Sequence, residues 1–368
     1  MAALMVALSH CLLVLTVDGI DNIWFARFGE LNGLQSTITR SLLVPFNGGA
    51  AVTVFFVLSG YVLGLSLDRH RQSLASTAGF YLKRIFRLYP AHIVTLLGIV
   101  ATLVLFHEYR VFEAGSAWYA EWYRNGLSLS GVLSNLALKQ VYLNHIAWTL
   151  QVELAGSLFL PLAWWVNRRL GFWPNLLVLG LLVGLSWWSR HLLLIFLYCF
   201  YAGLMLPQLF ERLESRLSGG PGQILLAAGI ALLCLGYTLA GPASLFGRVL
   251  LETLGGVLII AHLIHQANAG SWLNRFLSQD LINRLGRYSY SFYLLHFIIL
   301  YWIAYVLLRL LSPELLLAAP LLFGFGMMLV SVPINFWLSG LMYRNVEVPM
   351  ISAAKRLVGD RWWRGRGA

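Results

Sequence analysis

Few polar groups in this sequence stand where chemistry inside an apolar setting would need them, and they form two sets. The first is His10, at the end of the opening stretch MAALMVALSH, Glu153 in WTLQVELAGSLFLPL, and His296 in YSYSFYLLHFIIL. At about 1.5 Å of rise per residue, His10 lies roughly 15 Å along a helix, near the middle of a hydrocarbon layer about 30 Å thick. An ionisable group at that depth costs a few kcal/mol unless it is partnered or meets water. A histidine and a carboxylate on separate helices can serve as a base and its orienter. The plainer role for each is an interhelical hydrogen bond, and for Glu252, near the outer end of its span, the plainer role is favoured. No metal site is expected.

The second set lies in FYLKRIFRLYPAH. Arg84 and Arg87 are three residues apart and share a face of a helix. Two guanidinium groups on one face suit phosphate or pyrophosphate, and the competing role is anchoring of the chain by positive charge. Pro90 suits the first turn of the membrane helix that follows.

The elements that must carry these residues are membrane helices. Hydrophobic residues make up 59% of the 368 and charged residues 11%. Apolar runs of about twenty residues recur from end to end, and segments such as 176–188 and 224–239 are apolar all round, which excludes a soluble amphipathic bundle. The reading is an all-α, polytopic membrane protein of about ten spans. Lys and Arg sort unevenly between the connections. One side holds 18, among them Arg69, Arg71, Lys83, Arg84, Arg87, Arg168, Lys355 and Arg361, Arg364 and Arg366, and the other side holds 8. The richer side shares the termini, so both termini are expected in the cytoplasm. This bias and an anionic leaflet account for the formal charge of +11, and nucleic acid is not needed to explain it. Cys11, Cys199 and Cys234 all lie in apolar runs and suggest no disulfide. The longest connections, roughly 18–49 and 107–146, are too short for an independent domain. Their aromatic residues (Trp24, Phe25, Phe28; Trp118, Tyr119, Trp122, Tyr123) fit interfacial helices at headgroup level in preference to a lid over a site.

Four stretches in order, VTVFFVLSGYVLG (52–64), RIFRLYP (84–90), AWTLQVE (147–153) and YSYSFYLLH (288–296), make the chain resemble the acyltransferase-3 family of bacterial membrane acyltransferases. The resemblance implies about ten transmembrane helices over residues 1–345, with 346–368 as a basic cytoplasmic tail, in the bacterial inner membrane. It implies transfer of an acyl group, most often acetyl from acetyl-CoA, onto a hydroxyl of a carbohydrate or other exported or lipid-linked acceptor. Acyl-CoA is then a donor substrate and no bound cofactor is expected.

On that resemblance His10 is the essential histidine of the first helix, acting as general base or taking the acyl group itself. Glu153 is expected to orient the imidazole or stabilise its charged form, and Arg84 and Arg87 to bind the anionic part of the donor. Ser59, Tyr288, Ser289, Tyr293 and His296 either line the site or pack. Family members carry an arginine about ten residues before this histidine. Here it would fall two positions ahead of Met1, so either the start has been assigned too late, which is the expectation, or this chain is a variant that has lost the arginine. A transporter or flippase that uses the buried His and Glu is the alternative reading, for which repeated halves or equivalently broken helices would speak; neither is found.

Overall fold

The computed structural model describes residues 2–69, 73–240, 244–268 and 272–358. Met1, Arg71 and the basic run with Arg361, Arg364 and Arg366 lie outside the described residues. Among those described, every regular element is helical: α1 (Ala2–Cys11), α2 (Leu34–Leu42), α3 (Gly48–Asp68), α4 (Leu74–Phe106), α5 (Ala117–Ala120), α6 (Leu129–Leu136), α7 (Trp148–Arg169) and α8 (Phe172–Ser189). They continue as α9 (Leu192–Leu213), α10 (Gly219–Ala240), α11 (Leu245–Asn268), α12 (Trp272–Leu277), α13 (Asp280–Leu310), α14 (Pro313–Ala318), α15 (Pro320–Met342) and α16 (Val348–Val358). Nine helical stretches among the described residues are long and apolar enough to cross a membrane, and α1 is a shorter apolar helix. Helices satisfy every backbone donor internally, which an apolar solvent demands.

The chain forms two compact units. One comprises Met1–Gly48, Leu88–Trp148 and Arg284–Pro349; the other comprises Gly49–Arg87, Thr149–Asn283 and Met350–Ala368. In the first, α1 packs on α15, with the Cys11 thiol 3.6 Å from the Ser331 hydroxyl. Helix α1 stops at Cys11, a shorter opening helix than a full span. Residues 12–15 continue as buried non-helical chain, tolerable at membrane depth because protein surrounds it. Pro90, expected at a helix start, instead lies inside the continuous α4. A proline there leaves the carbonyl four residues earlier without its donor, and nearby the Tyr290 hydroxyl donates to the Leu88 carbonyl at 2.6 Å.

In the second unit α10 packs on α11, and α8 and α11 pack on α9. The glycine of the SGY stretch has a specific task here. A Cβ on Gly60 would stand 2.1 Å from the Phe200 carbonyl oxygen, and one on Gly203 would stand 2.1 Å from that of Val57. Helices α3 and α9 therefore touch backbone to backbone, as small residues permit in membranes. The obstructing atoms are main chain and cannot swing aside. Gly60→Ala is expected to destabilise by about 1–3 kcal/mol through overpacking, read as a lower unfolding temperature of the purified protein in detergent. An unchanged midpoint would show that α3 and α9 can separate freely. Glu252 is fully buried in the same unit. It accepts a hydrogen bond from the Thr53 hydroxyl at 2.7 Å and lies 3.6 Å from the Arg248 guanidinium one turn away.

Candidate active site

In the first unit, the end of α1 and the middle of α13 bring two histidines together. The Nε2 of His296 lies 3.1 Å from the Nδ1 of His10, and the Nδ1 of His296 lies 2.5 Å from the carbonyl oxygen of Tyr293. Those contacts fix the protons. A carbonyl oxygen only accepts, so His296 carries its proton on Nδ1 and, when neutral, presents a lone pair at Nε2. His10 must then donate from Nδ1, which leaves the lone pair of the His10 ring on Nε2. Among the described residues nothing hydrogen-bonds that nitrogen.

The His10 ring is covered by an aromatic wall. Trp118 stands 5.0 Å away, centroid to centroid, and Phe297 stands 6.3 Å away; Trp118 leans on Trp122 at 4.3 Å. Backbone pairing places this wall. The chain after α1 meets residues 114–116 through Thr16 N–H to the Ala114 carbonyl (3.1 Å) and Ser116 N–H to the Val14 carbonyl (2.9 Å). The Ser116 hydroxyl then caps α5 through the Tyr119 N–H at 3.2 Å, so Trp118 falls in the next turn, over His10. Tyr119, Trp122 and Tyr123 are buried in the core of this unit. The interfacial reading is thus corrected for the second connection: its aromatic residues enclose the site. In the first connection Phe25 and Phe28 are exposed, and Trp24 packs against the core of the unit.

The other predicted residues are placed as follows. Tyr293 donates from its hydroxyl to the Ile146 carbonyl at 3.3 Å, and its ring lies 5.5 Å from that of His296. Tyr288 packs against Phe336 and Tyr343, and Ser289 bonds the Gly286 carbonyl of its own helix at 2.7 Å. Ser59 is half-buried in α3, in the second unit.

Also in the second unit, Glu153 accepts a charge-assisted bond from the Arg84 guanidinium, both groups being almost fully buried. The Nε of Arg84 donates to the Ser157 hydroxyl at 3.0 Å, and that hydroxyl donates to the Glu153 carbonyl at 2.7 Å. The hydrogen-bond partner of the imidazole is therefore His296, and Glu153 is committed to Arg84. A buried guanidinium requires such neutralisation. Arg84 and Arg87 do share a face, since both line one cavity of about 180 Å³ together with Ser66, Ser76, Lys83 and Lys355. Lys355 comes from α16, which sequence reading treated only as a basic tail.

A model of the acyltransferase-3 family, described as an acyltransferase domain, matches residues 1–340. The chain belongs to this family. With nine membrane-length helices among its described residues, it is a multi-pass membrane acyltransferase. It is also 24% identical over 310 residues to Acyltransferase MdmB of Streptomyces mycarofaciens, across 72% of each protein. No solved structure matches it. The family match ends before α16, so the acyltransferase takes Lys355 from outside the matched residues.

Sequence reading missed Lys83 and Lys355 because nothing along the chain marks a cation as facing Arg87. It also missed Trp118 as a wall of the site, although the run AWYAEWY was visible as a dense aromatic cluster.

Proposed function

We propose that this acyltransferase works in the bacterial cytoplasmic membrane and moves an acyl group, acetyl foremost, from acyl-CoA to a hydroxyl of a carbohydrate or other exported or lipid-linked acceptor. The observation that carries the reading is the chain from the Tyr293 carbonyl through His296 to His10, which leaves His10 Nε2 as an oriented lone pair. In the reaction this nitrogen takes the proton of the acceptor hydroxyl as its oxygen attacks the thioester carbonyl carbon. The carbon–oxygen bond forms, the carbon–sulfur bond breaks, and the departing thiolate receives the proton from the imidazolium. Throughout, His296 accepts the His10 Nδ1–H, holds the ring in one tautomer and supports its charged form, as the third member of a hydrolase triad does.

The donor is a substrate, with no bound cofactor required. Its phosphates fit the cavity where Arg87, Lys83 and Lys355 converge, and Arg84, tied to Glu153, shapes its wall. Arg87 and Lys355 are exposed, so each contributes less than the full charge-assisted value and is screened by salt. Arg87→Ala and Lys355→Ala are each expected to raise the KM for acyl-CoA about three- to tenfold, more at low ionic strength, with kcat retained. The assay follows free thiol released from acyl-CoA by purified protein with acceptor present. A KM unmoved in both variants removes the phosphates from this cavity, and absence of acceptor-dependent thiol release removes acyl-CoA as the donor.

A further inference from the structure

In the second unit, α7 ends and α8 begins at one short turn, residues 170–171. Side chains from two helices hold it. The Asn175 amide of α8 donates to the carbonyls of Asn167 (2.9 Å) and Leu170 (3.1 Å), and the Gln208 amide of α9 donates to the Asn167 carbonyl at 3.2 Å. These are carbonyls at the end of α7, where the helix supplies no backbone donor. The same bonds place two arginines. Arg169 closes α7, and Arg212 lies one turn beyond Gln208 on α9, so the two guanidinium groups flank residues 170–172.

Arg168, Arg169 and Arg212 gather at this corner, and Asp68 answers only the first, at 3.1 Å. Arg169 and Arg212 are exposed. Among the described residues neither joins an ion pair, with Glu211 and Glu214 no exception. Each lies instead on an aromatic face: Arg169 is 4.2 Å from the centre of the Trp165 ring, and Arg212 is 4.4 Å from that of Phe172 and 5.7 Å from that of Trp173. Stacking orients a guanidinium and leaves the N–H donors at its edge for an anion's oxygens.

What adjoins these cations says which anion fits. Trp173, Leu177 and Leu181 recur every four residues along α8 and are all exposed, so one apolar stripe runs from beside Arg212 along the membrane helix. A soluble anion would meet the arginines alone. A phospholipid meets both features, with its phosphate at the arginines and its acyl chains along the stripe, and Trp173 then stands at the headgroup level that its ring favours. Charge narrows the lipid further: cations without a counter-charge attract a headgroup of net negative charge, whereas the ammonium of a zwitterionic headgroup brings like charge against them.

We propose that the α7–α8 turn and the end of α9 bind the headgroup of an anionic phospholipid, with Arg169 and Arg212 on its phosphate and the stripe through Trp173, Leu177 and Leu181 along its acyl chains. The site is independent of the donor cavity and of His10, and acyl transfer is not read in its test.

Purified full-length protein in detergent is titrated with phosphatidylglycerol or with phosphatidylethanolamine of the same acyl chains, and bound lipid is counted by native mass spectrometry. Wild type should hold phosphatidylglycerol at least tenfold more tightly. Arg169→Gln and Arg212→Gln should each weaken its binding about fivefold and the double variant about twentyfold, the scale set by one interfacial cation, with smaller losses at high salt. Trp173→Ala keeps every charge and should weaken binding about threefold. Arg275→Gln removes an exposed cation elsewhere, on α12, and should change it less than twofold. Equal affinity for the two lipids, or wild-type affinity in the double variant, overturns the site. A loss in Arg275→Gln as large as in Arg212→Gln makes the attraction diffuse and overturns it as well. Displacement of phosphatidylglycerol by glycerol 3-phosphate at similar concentration makes the ligand a soluble anion and overturns the lipid.

Discussion

His10→Gln is expected to lower acyl transfer by about 10²–10⁴-fold, the span over which a positioned general base contributes. Glutamine is close to histidine in length, and its amide can still donate toward His296 Nε2, so packing against Trp118 and the hydrogen bond between α1 and α13 survive. What it lacks is a nitrogen lone pair able to take a proton at neutral pH. His10→Ala should be as inactive, and both proteins should still insert and bind acyl-CoA. His296→Gln makes a milder contrast: the base remains but loses the acceptor that fixes its tautomer, so a fall in kcat of about ten- to a hundredfold with little change in KM is expected. The measurement is acylation of acceptor in membranes, with protein amounts matched by blot. Substantial transfer by His10→Gln would make this histidine structural and place the base elsewhere.

Glu153→Ala should destabilise the protein by about 3–5 kcal/mol, because it strands the Arg84 guanidinium in a buried position without its counter-charge. Both side chains are under a tenth exposed, and the Ser157 hydroxyl that also meets Arg84 cannot replace a carboxylate. The loss should appear as lower yield and a lower unfolding temperature in detergent. The double variant Arg84→Met/Glu153→Leu should recover much of it, since no unpaired charge remains inside, and the non-additivity measures the coupling. A Glu153→Ala protein with wild-type stability and no acyl transfer would falsify the structural assignment and return this carboxylate to a chemical role.

The sequence by itself determined the solvent in which the protein folds, the helical class and the order of the spans. Those properties depend on local composition: twenty apolar residues in a row satisfy their own backbone and need no knowledge of their neighbours. His10 and His296 were legible for the same reason, as ionisable groups in runs that otherwise hold none. Arg84 and Arg87 were legible as a pair because a helix places residues three apart on one face. Which buried group meets which was not legible. Periodicity ranks residues around a helix axis and says nothing about the helix opposite, so it could pair His10 with Glu153 as readily as with His296. Tertiary structure decided that Glu153 neutralises Arg84 and that His296, 286 residues away along the chain, orients His10. It also decided that the aromatic run around Trp118 lies inside the protein, because backbone bonds between residues 14–16 and 114–116 fold that connection over the end of α1. A run of Trp and Tyr looks the same in sequence whether its rings face lipid headgroups or a base, and only the long-range pairing of the main chain distinguishes the two.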